Sequence, residues 1–268
     1  MSAAGATGSG GRAVSAPLRA VMLAAGVGQR LSGGDERHPP KSLLAFGGRT
    51  LLERHLAILR AAGVVELVLV VGYHAERIHA ELARLGAGSF VRTVHNPDFR
   101  RGSLLSLWAA REALRDGSPI LFMDADVLHH PGLVGRLLGA PRPDALLYDR
   151  ELEPGDEPVK LCLRGGLPVE FRKVVSVACD EAGEWPGFLR LSGATAARLA
   201  AALERFVAAG RLDEPYEEAI RDVLLADPAA FAVVDVTDLP WIEIDFPADR
   251  LRAEREILPR LPDIGDVG

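Results

Sequence analysis

Hydrophobic and polar positions follow two distinct rhythms along this chain from Arg19 onward. Short apolar runs within residues 20–25, 66–72 and 120–123, and a more mixed run at 90–95, predict strands, and helical apolar spacing over 51–62, 75–85 and 104–114 predicts helices between them. Strands and helices in strict alternation predict βαβ units, hence a mostly parallel central sheet flanked by helices, an α/β fold. The texture changes over 145–191. Shorter alternating runs at 145–149, 159–163 and 169–178, punctuated by Gly155 and Gly165-Gly166, predict a small antiparallel sheet. Helices at 194–209 and 216–226, strands at 231–236 and 241–244, and a last helix at 248–258 complete the pattern. No internal repeat or linker interrupts it, so a single domain is expected over 19–260, between a disordered tail at 1–18 and a C-terminal tail at 261–268.

Composition narrows the partners. Of 268 residues 48% are hydrophobic and 25% charged, and no apolar run approaches the roughly 18 residues of a membrane span, so no membrane partner is expected. The opening residues are small and polar without the apolar stretch of a secretory signal. Cys162 and Cys179 lack metal-ligand spacing and read as buried thiols in a reducing compartment. Both points favour a cytoplasmic protein. A formal charge of -6 would repel nucleic acid, so none is expected, and any phosphate must be held by cations gathered locally. Of 31 basic residues only Lys41, Lys160 and Lys173 are lysine. Where arginine serves most surface roles, a retained lysine marks a place suited to a compact point charge, or simply survives a compositional bias by chance.

Three segments carry candidate chemistry. The first is Leu23-Ala24-Ala25-Gly26-Val27-Gly28-Gln29-Arg30-Leu31, a glycine turn directly after a buried strand, followed by Pro40-Lys41-Ser42. Such turns bring backbone N–H groups against phosphate, and Arg30 and Lys41 add charge. A Rossmann fingerprint fails because Leu31 stands where a third glycine or alanine belongs and Gly72-Tyr73 where an acid belongs; a Walker loop fails at Pro40. The second is Asp124-Ala125-Asp126, closing an apolar strand where a divalent cation could bridge protein and substrate phosphates, though strand-end aspartate also forms turns. The third is Trp241-Ile242-Glu243-Ile244-Asp245, whose two acids share one strand face. A second carboxylate from this face would complete an oxygen-ligand site with Asp126, or the two acids simply charge an exposed edge. His74, His79, His129 and His130 show no metal-ligand spacing.

Taken in order, the 23–31 loop, Pro40-Lys41-Ser42, the 124–126 acids and the 243–245 Glu-x-Asp resemble the nucleotidyltransferase family with its glycosyltransferase-A-like fold. Asn96-Pro97-Asp98-Phe99, Ser103, Ser106-Leu107, Val159-Lys160-Leu161, Glu184-Trp185-Pro186-Gly187-Phe188 and Phe246-Pro247-Ala248-Asp249 extend the resemblance toward phosphocholine and phosphonate cytidylyltransferase-like members, over about residues 19–256. Gly102-Ser103-Leu104 departs from the choline-type members, which more often carry a Thr-Asn-Asn-like stretch.

The resemblance implies one nucleotide-binding domain, with the small antiparallel sheet on the acceptor side, that condenses CTP with a small phosphate or phosphonate and releases pyrophosphate. Candidate acceptors are aminoalkyl- or hydroxyalkylphosphonates, phosphocholine and polyol phosphates. It implies nucleotide binding by Leu23, Ala24, Ala25, Gly26, Gly28, Asn96, Ser103, Ser106 and Asp124, with Arg30 and Lys41 as the catalytic cations. Asp126 and Asp245 would ligate Mg²⁺. Lys160, Lys173 and Glu217 would meet the acceptor, although Ser103 also suits a helix cap and Glu217 a helix first turn. Trp108 and Trp185 are expected in the core, and the polar segment 33–38 as a flap over the triphosphate. The strands near 145–178 offer a surface for a homodimer. Alternatives are a sugar-1-phosphate nucleotidyltransferase using UTP or GTP, a nucleotide-sugar glycosyltransferase using Asp124 and Asp126 as its metal pair, and a nucleotide-binding module without turnover.

Overall fold

The chain begins with β1 (Arg19–Ala24), α1 (Gln29–Ser32), β2 (Ala45–Phe46), β3 (Arg49–Thr50), α2 (Leu51–Ala61), β4 (Glu66–Val71), α3 (Ala75–Arg84), β5 (Val91–His95), α4 (Leu104–Ala109), α5 (Arg111–Arg115) and β6 (Ile120–Asp124). It continues with β7 (Val127–His129), α6 (Gly132–Leu138), β8 (Asp144–Tyr148), β9 (Lys160–Arg164), β10 (Leu167–Arg172), β11 (Glu181–Glu184), β12 (Phe188–Leu191), α7 (Gly193–Ala208), α8 (Glu217–Ala226), β13 (Phe231–Asp235), β14 (Trp241–Glu243) and α9 (Pro247–Arg252). The computed structural model describes residues 16–35, 37–152 and 158–263. Most of the expected tail (residues 1–15), Glu36 of the polar segment, the Gly155 turn and residues 264–268 lie outside the described residues.

Seven strands form the main sheet in the order β13-β8-β12-β6-β1-β4-β5, parallel except for β12, which runs antiparallel to both neighbours. Period-two alternation sends side chains to opposite faces, and both faces are covered. Val21, Val68 and Phe122 pack beneath α4, α5, α7 and α8, whereas Met22, Leu69 and Met123 pack beneath α2, α3 and α6. Continuous apolar strands are therefore required, as in any sheet buried on both sides. Caps fix the helix starts: the Thr50 hydroxyl accepts from Glu53 N–H at 3.1 Å, a bond of the kind worth about 1 kcal/mol.

A second sheet, β10-β9-β11, is antiparallel throughout, as the texture of that region predicts. Two details differ. The 145–149 run joins the main sheet as β8, because its buried alternation serves both layers, and the 169–178 run stops at Arg172 in a bend. The helix expected at 104–114 breaks at Ala110, whose backbone leaves the helical region at φ -84° and ψ 5°. Beyond α9 the last helix changes winding, with a π turn over Ala253–Ile257. Cys162 is buried and Cys179 half-buried, both as free thiols; burial and the neighbouring Cys179 push the Cys162 thiol up to about 12. No helix among the described residues is long and apolar enough to cross a membrane.

Candidate active site

Strand order locates the site. β4 and β5 lie to one side of β1 and β6 to the other, so a crevice opens beyond the carboxyl ends of β1 and β6, where ligands bind in open α/β sheets. A cleft of about 490 Å³ occupies this place. Leu23, Ala25, Gly26, Gly28, Arg30 and Lys41 line it on the β1 side, together with Ser103 and Ser106. Asp124, Asp126, Glu243 and Asp245 lie at its centre, and Lys173, Trp185, Tyr216 and Glu217 close the side toward β12. Ala24 lies behind the loop, in a side pocket of about 90 Å³ with Ser42 and Ala125.

Local geometry builds the cationic centre. After β1 the chain turns through Gly28 at φ 67° into α1, a left-handed conformation that glycine adopts without strain. A Cβ at Gly28 would stand 3.2 Å from Lys41 Cγ, so the bare glycine also leaves room for the lysine stem. Lys41 enters from a single 3-10 turn after Pro40. Its Nζ donates to Asp126 at 2.8 Å and to Asp245 at 2.5 Å, and Arg30 pairs with the other oxygen of Asp245 at 2.9 Å. Burial works against the Lys41 charge, but Asp126, Asp245 and Glu243 outweigh it and hold its pKa above the ordinary lysine value.

The carboxylates come from distant segments. Glu243 on β14 and Asp245 just beyond it reach Asp126 because β14 pairs antiparallel with β7, setting Glu243 opposite Val127. Ligand oxygens of Asp126, Glu243 and Asp245 lie within 4.8 Å of one another. Three hard oxygen donors at this spacing fit a divalent cation that prefers oxygen. Glu243 keeps solvent-accessible surface, yet protein mass around it penalises its charge, and with Asp126, Asp245 and Asp124 nearby its pKa is pushed well up. The Glu-x-Asp spacing signalled Glu243, but the expected ligand pair of Asp126 and Asp245 left it out.

Asp124 stands apart from this cluster. Its Oδ2 accepts from the Tyr216 hydroxyl at 2.5 Å, and a Cβ on Gly187, whose φ of 89° already favours glycine, would lie only 2.7 Å from the same oxygen. Burial and the Asp126 charge push the Asp124 carboxyl well above its usual range. Trp185 is buried as expected, its Nε1 donating to Phe188 O, yet it also forms part of the cleft wall. Trp108 is half-buried beneath the Arg111 guanidinium.

Several expected site residues serve as braces. Asn96 is buried, donates to Ser106 Oγ at 3.0 Å and accepts from Asp98 N–H; it is not among the residues lining the cleft. Lys160 is likewise absent from that lining, because its Nζ donates to the Lys173 carbonyl at 2.7 Å. Ser103 lines the cleft but does not cap α4; its Oγ accepts from Tyr216 N–H, tying that helix to the start of α8.

A mostly parallel sheet of this order, with cations and carboxylates gathered at its switch point, suits the nucleotidyltransferase class. Over residues 20–203 the chain matches the MobA-like NTP transferase domain, and it belongs to that family. It is 34% identical over 251 residues to the CMP-5'-(3-aminopropyl)phosphonate synthase of Streptomyces rubellomurinus, covering 91% of this chain and 39% of that protein. It is 31% identical over 243 residues to the bifunctional IPC transferase and DIPP synthase of Rubrobacter xylanophilus, covering 89% of this chain and 52% of that protein. The chain thus spans about half or less of these relatives. The inositol-1-phosphate CTP transferase of T. maritima shares the fold, with a TM-score of 0.72 at 20% identity over 94% of this chain and 97% of the other.

Proposed function

We propose that the chain is a Mg²⁺-dependent cytidylyltransferase that joins CTP to a small phosphate or phosphonate acceptor and releases pyrophosphate. The observation that carries this reading is Lys41, placed at once against the phosphate-type loop and inside the oxygen-donor cluster. The names of the relatives, a CMP-phosphonate synthase and an inositol-phosphate CTP transferase, support CTP and this acceptor class.

In this reading the backbone of Leu23, Ala24, Ala25, Gly26 and Gly28 holds the base and cradles the triphosphate, with Ser103 and Ser106 at the ribose and base. Asn96 fixes the Ser106 hydroxyl. Arg30 neutralises the departing pyrophosphate. Lys41 bridges the α-phosphate and the incoming acceptor oxygen, screening their repulsion and the charge that builds during in-line attack. Asp126, Glu243 and Asp245 hold Mg²⁺, which when bound supplies Lewis-acid charge stabilisation. No general base is required, because the attacking phosphate or phosphonate oxygen is already anionic at neutral pH; positioning and electrostatics suffice. On the β12 side Lys173 and Glu217 meet the acceptor, and Lys160 fixes the Lys173 backbone.

The glycosyltransferase alternative needs Asp124 and Asp126 as a metal pair, but Asp124 is engaged by Tyr216. Pyrophosphate release measured with four nucleoside triphosphates against phosphonates, phosphocholine, polyol phosphates and sugar 1-phosphates tests the proposal. Release confined to CTP and one acceptor class is expected. Equal release with every triphosphate, or none although CTP binds, would contradict it, and nucleotide-sugar turnover without triphosphate consumption would favour the alternative.

A further inference from the structure

α8 begins with two adjacent glutamates that meet opposite fates. Glu218 forms a two-pronged pair with Arg172, 2.8 and 2.6 Å, the ordinary use of an acid in a helix first turn. Glu217 instead lines the cleft, and its Oε2 is shielded from solvent with no hydrogen-bond partner among the described residues. A shielded carboxylate oxygen with unmet acceptor capacity is costly unless something supplies a donor. Burial leaves the Glu217 carboxyl above its usual range, because a hydrogen bond from its own backbone N–H and the positive charge of Lys173 do not offset burial together with the Glu218 charge.

The surroundings narrow the missing donor. Trp185 and Tyr216 also line this end of the cleft, in T-shaped contact at 6.2 Å between ring centroids. Tyr216 orients a second carboxylate, Asp124, through its hydroxyl. Aromatic walls beside two carboxylates suit a short alkyl chain ending in a cation. A primary ammonium brings three N–H donors, whereas a trimethylammonium has none for Oε2 and a hydroxyl carries no compensating charge.

We propose that this end of the cleft selects an acceptor bearing a primary ammonium group, read by Glu217, so that the acceptor is a zwitterion with phosphate or phosphonate at its reacting end. The proposal rests on the cytidylyltransferase reading above and deepens it. Glu217 is here a specificity residue, touching the acceptor away from the reacting atoms.

The test compares aminoalkyl-, hydroxyalkyl- and trimethylammonioalkylphosphonates of equal chain length at saturating CTP, with wild type and Glu217→Gln. Wild type is expected to favour the primary amine by about tenfold or more in kcat/KM. Glu217→Gln, which keeps the shape and removes the charge, is expected to raise KM for the amine by about tenfold with little change in kcat, levelling the three acceptors. Equal kcat/KM for all three in wild type would overturn the proposal whether or not the variant folds, as would a preference that survives in a folded Glu217→Gln. Turnover without preference overturns this inference alone. No pyrophosphate from any of the three, with CTP bound, overturns the cytidylyltransferase reading along with it.

Discussion

Lys41 sits where two demands meet. Its ammonium neutralises Asp126 and Asp245, the carboxylates offered to a divalent cation, and it lies beside the loop proposed to hold phosphate. Replacing it therefore has two separable effects. Lys41→Met is expected to lower pyrophosphate release by about a thousandfold, within the range for removing an electrostatic stabiliser of the transition state. It is also expected to tighten Mn²⁺ binding to the nucleotide-free protein by about tenfold, since ammonium and metal compete for the same oxygens. Near wild-type turnover, or weaker Mn²⁺ binding in titration calorimetry, would contradict this role. That Lys41, Asp126 and Asp245 belong to one cluster was legible in the sequence, because lysine is scarce and both acids follow strong strand patterns. The Tyr216–Asp124 bond was not legible, since its partners lie 92 positions apart. Asn96 and Lys160 stand outside the cleft lining for a related reason: residue type gives a polar side chain's capacity, whereas packing decides which way it points.

Elements were easier to read than side-chain directions. Apolar runs marked β1, β4 and β6 to within about two residues, as strands buried on both faces should allow, and the mixed run at 90–95 marked the less buried edge strand β5 equally closely. The short β7 and β12 escaped notice because too few residues show a period, and α6 because Gly132 and Gly135 dilute its pattern. β7 matters, since it fixes β14 and brings Glu243 to Asp126. Its packing on α2 buries a stacked histidine pair, His55 and His129, with ring centroids 5.3 Å apart. Each donates to a backbone carbonyl, Val127 O and His130 O respectively, and the other ring nitrogen of each is buried without a hydrogen-bond partner among the described residues. Burial lowers the His55 pKa to about 4 and the His129 pKa to about 3. The unfolded chain binds these protons at the ordinary value of about 6.5, so stability is full above that pH and is lost as pH falls toward 4 and 3. Unfolding free energies from urea titrations should drop between pH 7 and 5, approaching about 1.4 kcal/mol per pH unit per histidine, with a shallower dependence in His129→Gln. A flat profile in wild type would contradict the neutral buried pair.

At the scale of the molecule, an acidic chain concentrates its useful charge at one crevice. The formal charge is -6, yet Arg30, Lys41, Arg100, Arg101 and Lys173 line the cleft beside the acids Asp124, Asp126, Glu217, Glu243 and Asp245, so an anionic nucleotide finds several cations gathered at one place. The fold class was legible from alternation alone, because each βαβ step must lay a helix against the sheet. The division of the cleft was not, since it depends on β12 joining the main sheet beside β6 and on α8 swinging Tyr216 and Glu217 across to Asp124. Cytidylyl transfer is tested most directly by phosphorus NMR of the protein incubated with CTP, Mg²⁺ and an aminoalkylphosphonate. The expected spectrum gains pyrophosphate and a coupled pair of resonances from a new P–O–P link between CMP and the phosphonate. Pyrophosphate accompanied only by free CMP, or unchanged CTP and phosphonate with the nucleotide bound, would contradict it.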